Sequence, residues 1–479
     1  MKQAATSEEA SEHGDERAFT AVRGITPEDG HVAHPATHTH TPSHDIDEPR
    51  SQHAAENELV GFVCDLVQAP DSTVGSLAAG LTDAAQRVLR GARDDRPRLR
   101  RPTVVLPESA HPAWFTAAAA LGVVPVVIPV GTDGRVPVGP LAAAVREETV
   151  LVVASAPSFT HGVVDPIGWV AAATFAKQVP LHVDASAGGW SMAYARLLGR
   201  LGPMWGFDVP GVSSLTLEIG PERGVDADVT VILHRTRESR QAQQRAALER
   251  RGPHAWHATW RAAGEVADDV AETLREVGHE ACADLALDAL NATAALARGM
   301  LDVRGVQLAA QPDATTLSLR ADATCDVFTF ADALHQRGWA TQPVVLDSGA
   351  ALLRLPVTAA MLPVVDDCVR AIEEAAYDAQ ERGRAQVDPT LERLLDQLEP
   401  HRVSDYSARL LLDAAAVLDT ADPDQAGRRS ATQLLLHAAP PGVREELLVI
   451  DHDRLSQPVR HGAPQLVDDD VNATTVSSE

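Results

Sequence analysis

Lysine is almost missing from this chain. Of its 479 residues 41 are basic, yet the only lysines are Lys2 and Lys177. Chemistry that needs a side-chain amine therefore has two candidates. Cysteine is scarce too, and Cys64, Cys282, Cys325 and Cys368 form no CxxC pair. That excludes the usual zinc-site spacings and a dense disulfide framework, and it suits a reducing cytoplasm. Positive charge is outweighed throughout, with a formal net charge of −26. Phosphate backbones require a basic surface, so nucleic acid is excluded as a partner. No stretch of 18 apolar residues exists, which excludes a membrane-spanning helix. No basic segment leads into an apolar core near Met1, so no secretory signal is expected. Aromatics are only 4% of the chain, and alanine and valine supply most of the apolar volume.

What is present falls into five stretches. Residues 1–55 are polar, acidic and sprinkled with histidine (His31, His34, His38, His40, His44). They hold too little apolar surface to offset chain entropy and are expected to be a disordered tail, with no metal site. Over 56–257, apolar runs alternate with helical stretches. The runs are Thr103–Leu106, Val124–Val130, Val150–Ala154, Leu181–Val183 and Val229–Leu233. The helices are Ala113–Leu121, Leu141–Val145, Ile167–Lys177 and Trp190–Leu198. Strands continuous in valine and leucine, separated by short helices, predict a large doubly wound α/β domain with a mostly parallel sheet. Residues 258–384 open with two alanine-rich helices and continue as a smaller α/β unit. Residues 385–463 read as a helical extension, and 464–479 as a disordered tail.

Chemistry concentrates in four segments. They are Val104–Trp114 (VVLPESAHPAW), Ser155–Ile167 (SAPSFTHGVVDPI), Pro180–Trp190 (PLHVDASAGGW) and Phe207–Ser214 (FDVPGVSS). In this order and spacing they resemble the group II pyridoxal-phosphate-dependent decarboxylases, in particular their sphingosine-1-phosphate lyase-like branch. The resemblance covers about residues 56–384. It implies the type I fold of such enzymes, a homodimer, and pyridoxal 5'-phosphate as cofactor. It also implies positions for the cofactor contacts: Asp184 for the pyridine nitrogen, His111 stacked on the ring, Ser155 beside it, and Gly80 and Thr82 at the phosphate. A catalytic lysine would bond to the cofactor aldehyde.

The chain departs from that pattern at three places. Where the resembled family has a loop close to SGGTES, this chain has Ala79-Gly-Leu-Thr-Asp-Ala84, with Leu81 for a glycine and Ala84 for a serine. The segment Ser213–Arg235 registers with the family without a gap, and its lysine falls on Pro221, with the preceding histidine on Gly220. Proline has no side-chain amine, so covalent attachment is not expected. Arg223 remains protonated and forms no Schiff base. A glycine- and serine-rich segment after Arg235 is replaced by the charged run Gln241–Pro253.

Lys177, at a helix end before a strand, belongs to the sheet edge opposite to ligand sites. His161 is expected to support its own loop, and His182 to pack on the strand face away from Asp184. Trp114, Trp169, Trp190 and Trp205 are expected in the core or at a dimer interface. The leading expectation is an inactive relative of the lyases, a homodimer that could pair with an active paralogue. The rivals are a working carboxy- or aldehyde-lyase, and a scaffold that uses the helical extension.

Overall fold

In the computed structural model, residues 48–220, 229–248, 253–398, 403–419 and 430–455 are described. The chain divides into two compact units, Met1–Ala385 and Gln386–Glu479. The first opens with helix α1 (Glu48–Leu66), strand β1 (Val74–Ala79) and helix α2 (Gly80–Asp94). There follow β2 (Thr103–Pro107), α3 (Pro112–Leu121), β3 (Val124–Ile128), α4 (Val138–Ala144), β4 (Thr149–Ser155) and α5 (Ile167–Phe175). Next come β5 (Leu181–Asp184), α6 (Gly189–Leu197), β6 (Val212–Glu218), β7 (Val229–His234) and α7 (Arg237–Leu248). The seven strands form one sheet in the order β1-β7-β6-β5-β4-β2-β3. Strands β6, β5, β4, β2 and β3 run parallel, and β7 lies antiparallel between β1 and β6.

Every residue of β4 (TVLVVAS) and of β5 is buried. A strand covered on both faces reads as a continuous apolar run, which is why the sequence showed it. Helix α3 starts where His111 accepts the Ala113 N–H and Pro112 fills the first turn. It stops at Gly122, whose φ of 63° closes a left-handed cap. Residues 188–217 and 55–77 contribute to the core on one face of the sheet. On the other face α2 and α3 cover Val104, Leu106, Val153 and Ile232.

A helix with a kink at Gly278, α8 (Pro253–Gly299), leads to a second sheet. Strands β8 (Val306–Leu308), β9 (Thr316–Ala321), β10 (Gln342–Val345) and β11 (Ala351–Pro356) pair in the antiparallel order β10-β11-β9-β8. Helices α9 (Val327–His335) and α10 (Val365–Arg382) complete it. The second unit holds α11 (Pro389–Leu395), α12 (Asp405–Asp419), α13 (Ser430–Ala438) and α14 (Pro441–Leu455) around its own core of Leu391, Leu412, Leu435 and Leu447. No helix among the described residues is long and apolar enough to cross a membrane.

Two expectations need correction, and two strands were not expected at all. Helix α1 begins at Glu48, so the last eight residues assigned to the tail are helical, and Ala55 is buried. Strands β1 and β6 went unread. In β1 (VGSLAA) few residues favour strands, and Gly75 is required because a Cβ there would lie 2.7 Å from Leu233 and 2.8 Å from the Ile232 oxygen. Of the tryptophans expected in the core or at an interface, Trp114, Trp190 and Trp205 are buried and Trp169 is 73% exposed. His182 shares the face of Asp184, as strand positions two apart must. Residues 1–47 with their histidines, Pro221 and Arg223 lie outside the described residues.

Candidate functional site

The carboxyl ends of parallel strands are where α/β sheets present side chains to a cleft. Asp184 ends β5, Ser155 ends β4 directly opposite it in register, and Thr216 of β6 pairs with it on the other side. His111 follows β2 at the start of α3, and Gly80 with Thr82 opens α2 after β1. The topology thus brings Asp184, Ser155, His111, Gly80 and Thr82 to one sheet edge. Lys177 sits at the opposite edge, where its Nζ donates to the Ala142 and Val145 carbonyls at 2.7 and 2.9 Å.

Asp184 is 3% exposed and well supplied with donors. Its Oδ1 accepts from the Ser186 N–H (3.1 Å), Ser186 Oγ (2.7 Å) and Thr216 Oγ1 (3.2 Å). Its Oδ2 accepts from the fully buried Trp114 indole N–H at 2.9 Å. Trp114 also lies on His182, ring centroids 4.8 Å apart. His182 in turn bonds Ser214 Oγ (2.8 Å) and Thr216 Oγ1 (3.2 Å). Burial, reinforced by nearby His234, keeps the His182 pKa well below its ordinary value. A buried network therefore runs Ser214–His182–Thr216–Asp184–Trp114, and among the described residues one lone pair of Asp184 Oδ2 is left over.

Beside Asp184, at the same sheet edge, lies a stack. His111 meets Phe159 edge-on at 4.5 Å, and the Arg354 guanidinium lies 4.2 Å from the centre of the Phe159 ring. Arg354, on β11 of the second sheet, donates Nε–H to the Phe159 carbonyl (2.8 Å) and NH1 to Gln342 (2.7 Å). Burial pulls its pKa down to about 10, opposed by Glu218. Burial likewise lowers the His111 pKa; Asp184 opposes that and Arg354 assists it. The Nδ1 of His111 accepts the Ala113 N–H. His161 bonds Thr160 Oγ1 at 2.7 Å and packs where any Cβ on Gly134 would come within 2.7 Å of its ring, a loop-supporting place. Asp165 clamps the same loop through the Val136 and Ser155 N–H groups, and burial raises its pKa to about 6.

Sequence reasoning missed Trp114 as the partner of Asp184, and missed Phe159 and Arg354. A single arginine inside the apolar strand ALLRLP was the available signal for the last. Among the described residues no group of three or more histidines, cysteines or acids could hold a metal.

Strand order and the carboxylate at the end of β5 define the type I fold of pyridoxal-phosphate-dependent enzymes. No protein-family profile matches the chain. It is 25% identical to a sphingosine-1-phosphate lyase of Arabidopsis thaliana over 346 residues, 70% of this chain and 63% of that one. It is 26% identical to a probable L-tyrosine/L-aspartate decarboxylase of Methanothermobacter thermautotrophicus, over 61% of this chain and 79% of that one. The structure of a Burkholderia pseudomallei sphingosine-1-phosphate lyase superposes with a TM-score of 0.62 at 22% identity, covering 76% of this chain and 82% of that one. An Oryza sativa TDC solved with PLP and tryptamine gives 0.56 at 16% identity, covering 69% and 77%. The homologues of this chain are sphingosine-1-phosphate lyases and group II pyridoxal-phosphate decarboxylases. The match spans 50–63% of the length of the plant and slime-mould lyases.

The residues fit one end of that cofactor. Asp184 has an acceptor site for a pyridinium, and the buried hydroxyls Ser155 Oγ and Ser109 Oγ have no hydrogen-bond partner among the described residues. The other end fits poorly. Asp83 turns its carboxylate onto the Ala79 N–H (3.1 Å) at the start of α2 and is held there by Arg87, 2.6 Å away. The resembled loop carries an acid at that place too, so the weakening lies in Leu81, whose side chain replaces a glycine at the phosphate approach, and in Ala84, which replaces a serine donor. For covalent attachment the residues do not fit: among the described residues the single side-chain amine is that of Lys177.

Proposed function

We propose that this chain is a non-catalytic relative of the pyridoxal-phosphate lyases, with a cleft that holds a pyridine-type ring without a covalent bond. The observation that carries the reading is the placement of Lys177, fastened to two carbonyls at the wrong sheet edge, in a sequence whose lysine position is Pro221. Asp184, with His111 and Ser155 around it, is the ring site. Gly80 and Thr82 mark a phosphate end weakened by Leu81 and Ala84.

The chain acts in the cytoplasm as a homodimer or beside an active paralogue. Its four free cysteines suit that compartment. The exposed Trp169 suits an interface.

Borohydride reduction with pyridoxal phosphate, followed by peptide mapping, tests the proposal. No adduct is expected within residues 200–235. A stable stoichiometric adduct in that segment overturns it.

A further inference from the structure

Away from the cleft, a cavity of about 440 Å³ opens between the end of α6, the segment that follows it and the second half of α8. None of its lining residues takes part in the Asp184 network or the His111 stack. Its volume lies within the range of small-molecule sites, and such sites are mostly apolar with a few placed polar groups. The apolar wall is Met192, Leu201, Met204, Trp205 and Leu290. Leu201 is fully exposed and Met204 is 57% exposed, which leaves apolar surface uncovered at the cavity mouth.

Two arginines join this wall, in unequal states. Arg196 is neutralised by Asp208 at 2.8 Å. Arg200 instead places NH1 and NH2 on the Asn291 amide oxygen, both at 3.2 Å, and has no acidic partner among the described residues. The acid in the lining, Asp313, is held by Arg135 at 2.5 Å. A guanidinium with no acidic partner among the described residues, beside a cavity with one apolar wall, in a chain of net charge −26, therefore selects a particular ligand chemistry.

We infer that this cavity binds a fatty-acid-like amphiphile, its aliphatic chain against Met192, Met204 and Leu290 and its anionic head on Arg200. The site is independent of the cleft and of any cofactor. Asn291 positions the guanidinium fork, and the remaining N–H groups of Arg200 receive the head group.

Calorimetric titration of the full chain with decanoate tests this, with decanol as the neutral counterpart. Saturable one-to-one binding of decanoate is expected, with decanol at least tenfold weaker. Arg200→Gln, at an exposed position, should weaken decanoate binding at least tenfold. Ala294→Trp, which fills the cavity from an exposed position on α8, should abolish it. Absence of saturable binding by the wild type overturns the inference. So does binding that neither variant changes, or equal affinity for decanol.

Discussion

Replacing Trp114 by phenylalanine removes one N–H from the centre of the candidate site and leaves most of its bulk. The indole donates to Asp184 Oδ2 at 2.9 Å, and among the described residues that oxygen has no other protein donor. Both groups are buried. A hydrogen bond to a charged group contributes about 1.5–3 kcal/mol, and its loss strands a buried carboxylate oxygen. The smaller ring also gives up part of the contact with His182. Truncation in a packed core adds roughly 1–2 kcal/mol, a fraction of the cost of removing a whole aromatic. The expected loss is therefore about 2.5–5 kcal/mol. A double-mutant cycle with Asp184→Asn isolates the pair, read by urea unfolding followed through circular dichroism. Coupling of about 1.5–3 kcal/mol is expected. A coupling below about 0.5 kcal/mol, the additivity of unconnected sites, would refute the network.

Asp165 should make stability pH-dependent. Its folded pKa of about 6 lies above the unfolded value of about 3.9, so its contribution is fullest below about pH 4 and is lost as pH rises to about 6. Relative to Asp165→Asn, the wild type should lose on the order of 3 kcal/mol across that window; a difference that is flat with pH would contradict it. Gly162→Ala should cost at least about 2 kcal/mol in denaturant unfolding, because Gly162 has a φ of +67° and a Cβ would lie 2.3 Å from the Thr316 carbonyl oxygen. Gly61→Ala, with nothing within 4 Å, should leave stability unchanged or raised. Deleting residues 1–47 should leave the melting temperature nearly unchanged, whereas deletion through Leu66 should abolish soluble expression by removing the buried Leu59, Val63 and Leu66.

The parallel strands and the helices between them were legible because burial on both faces writes itself as runs of valine and leucine. The site's framework was legible through spacing, since SAPSFTHGVVDPI and PLHVDASAGGW fix the ends of β4 and β5. Strand β1 was not legible. Its reason for being a strand is the partner β7, not its own residues. The Trp114–Asp184 bond joins positions 70 residues apart, and Arg354 meets Phe159 across 195. Local pattern carries no trace of such pairings. The face of His182 was a different kind of miss, because period-2 geometry alone decides it.

Among the described residues strand β1 has β7 as its single neighbour in the sheet, pairing Ala79 with Val229 and Val74 with His234. A ribosome adding roughly 5–20 residues each second takes on the order of ten to thirty seconds to travel from one to the other. Throughout that interval the nascent chain carries a strand with no ladder, while β2, β3, β4 and β5 can already assemble beside one another. Closing so long a loop is a late and slow event. Strand β1 thus joins the sheet only after β7 has been made, which leaves its backbone donors and acceptors to water until then.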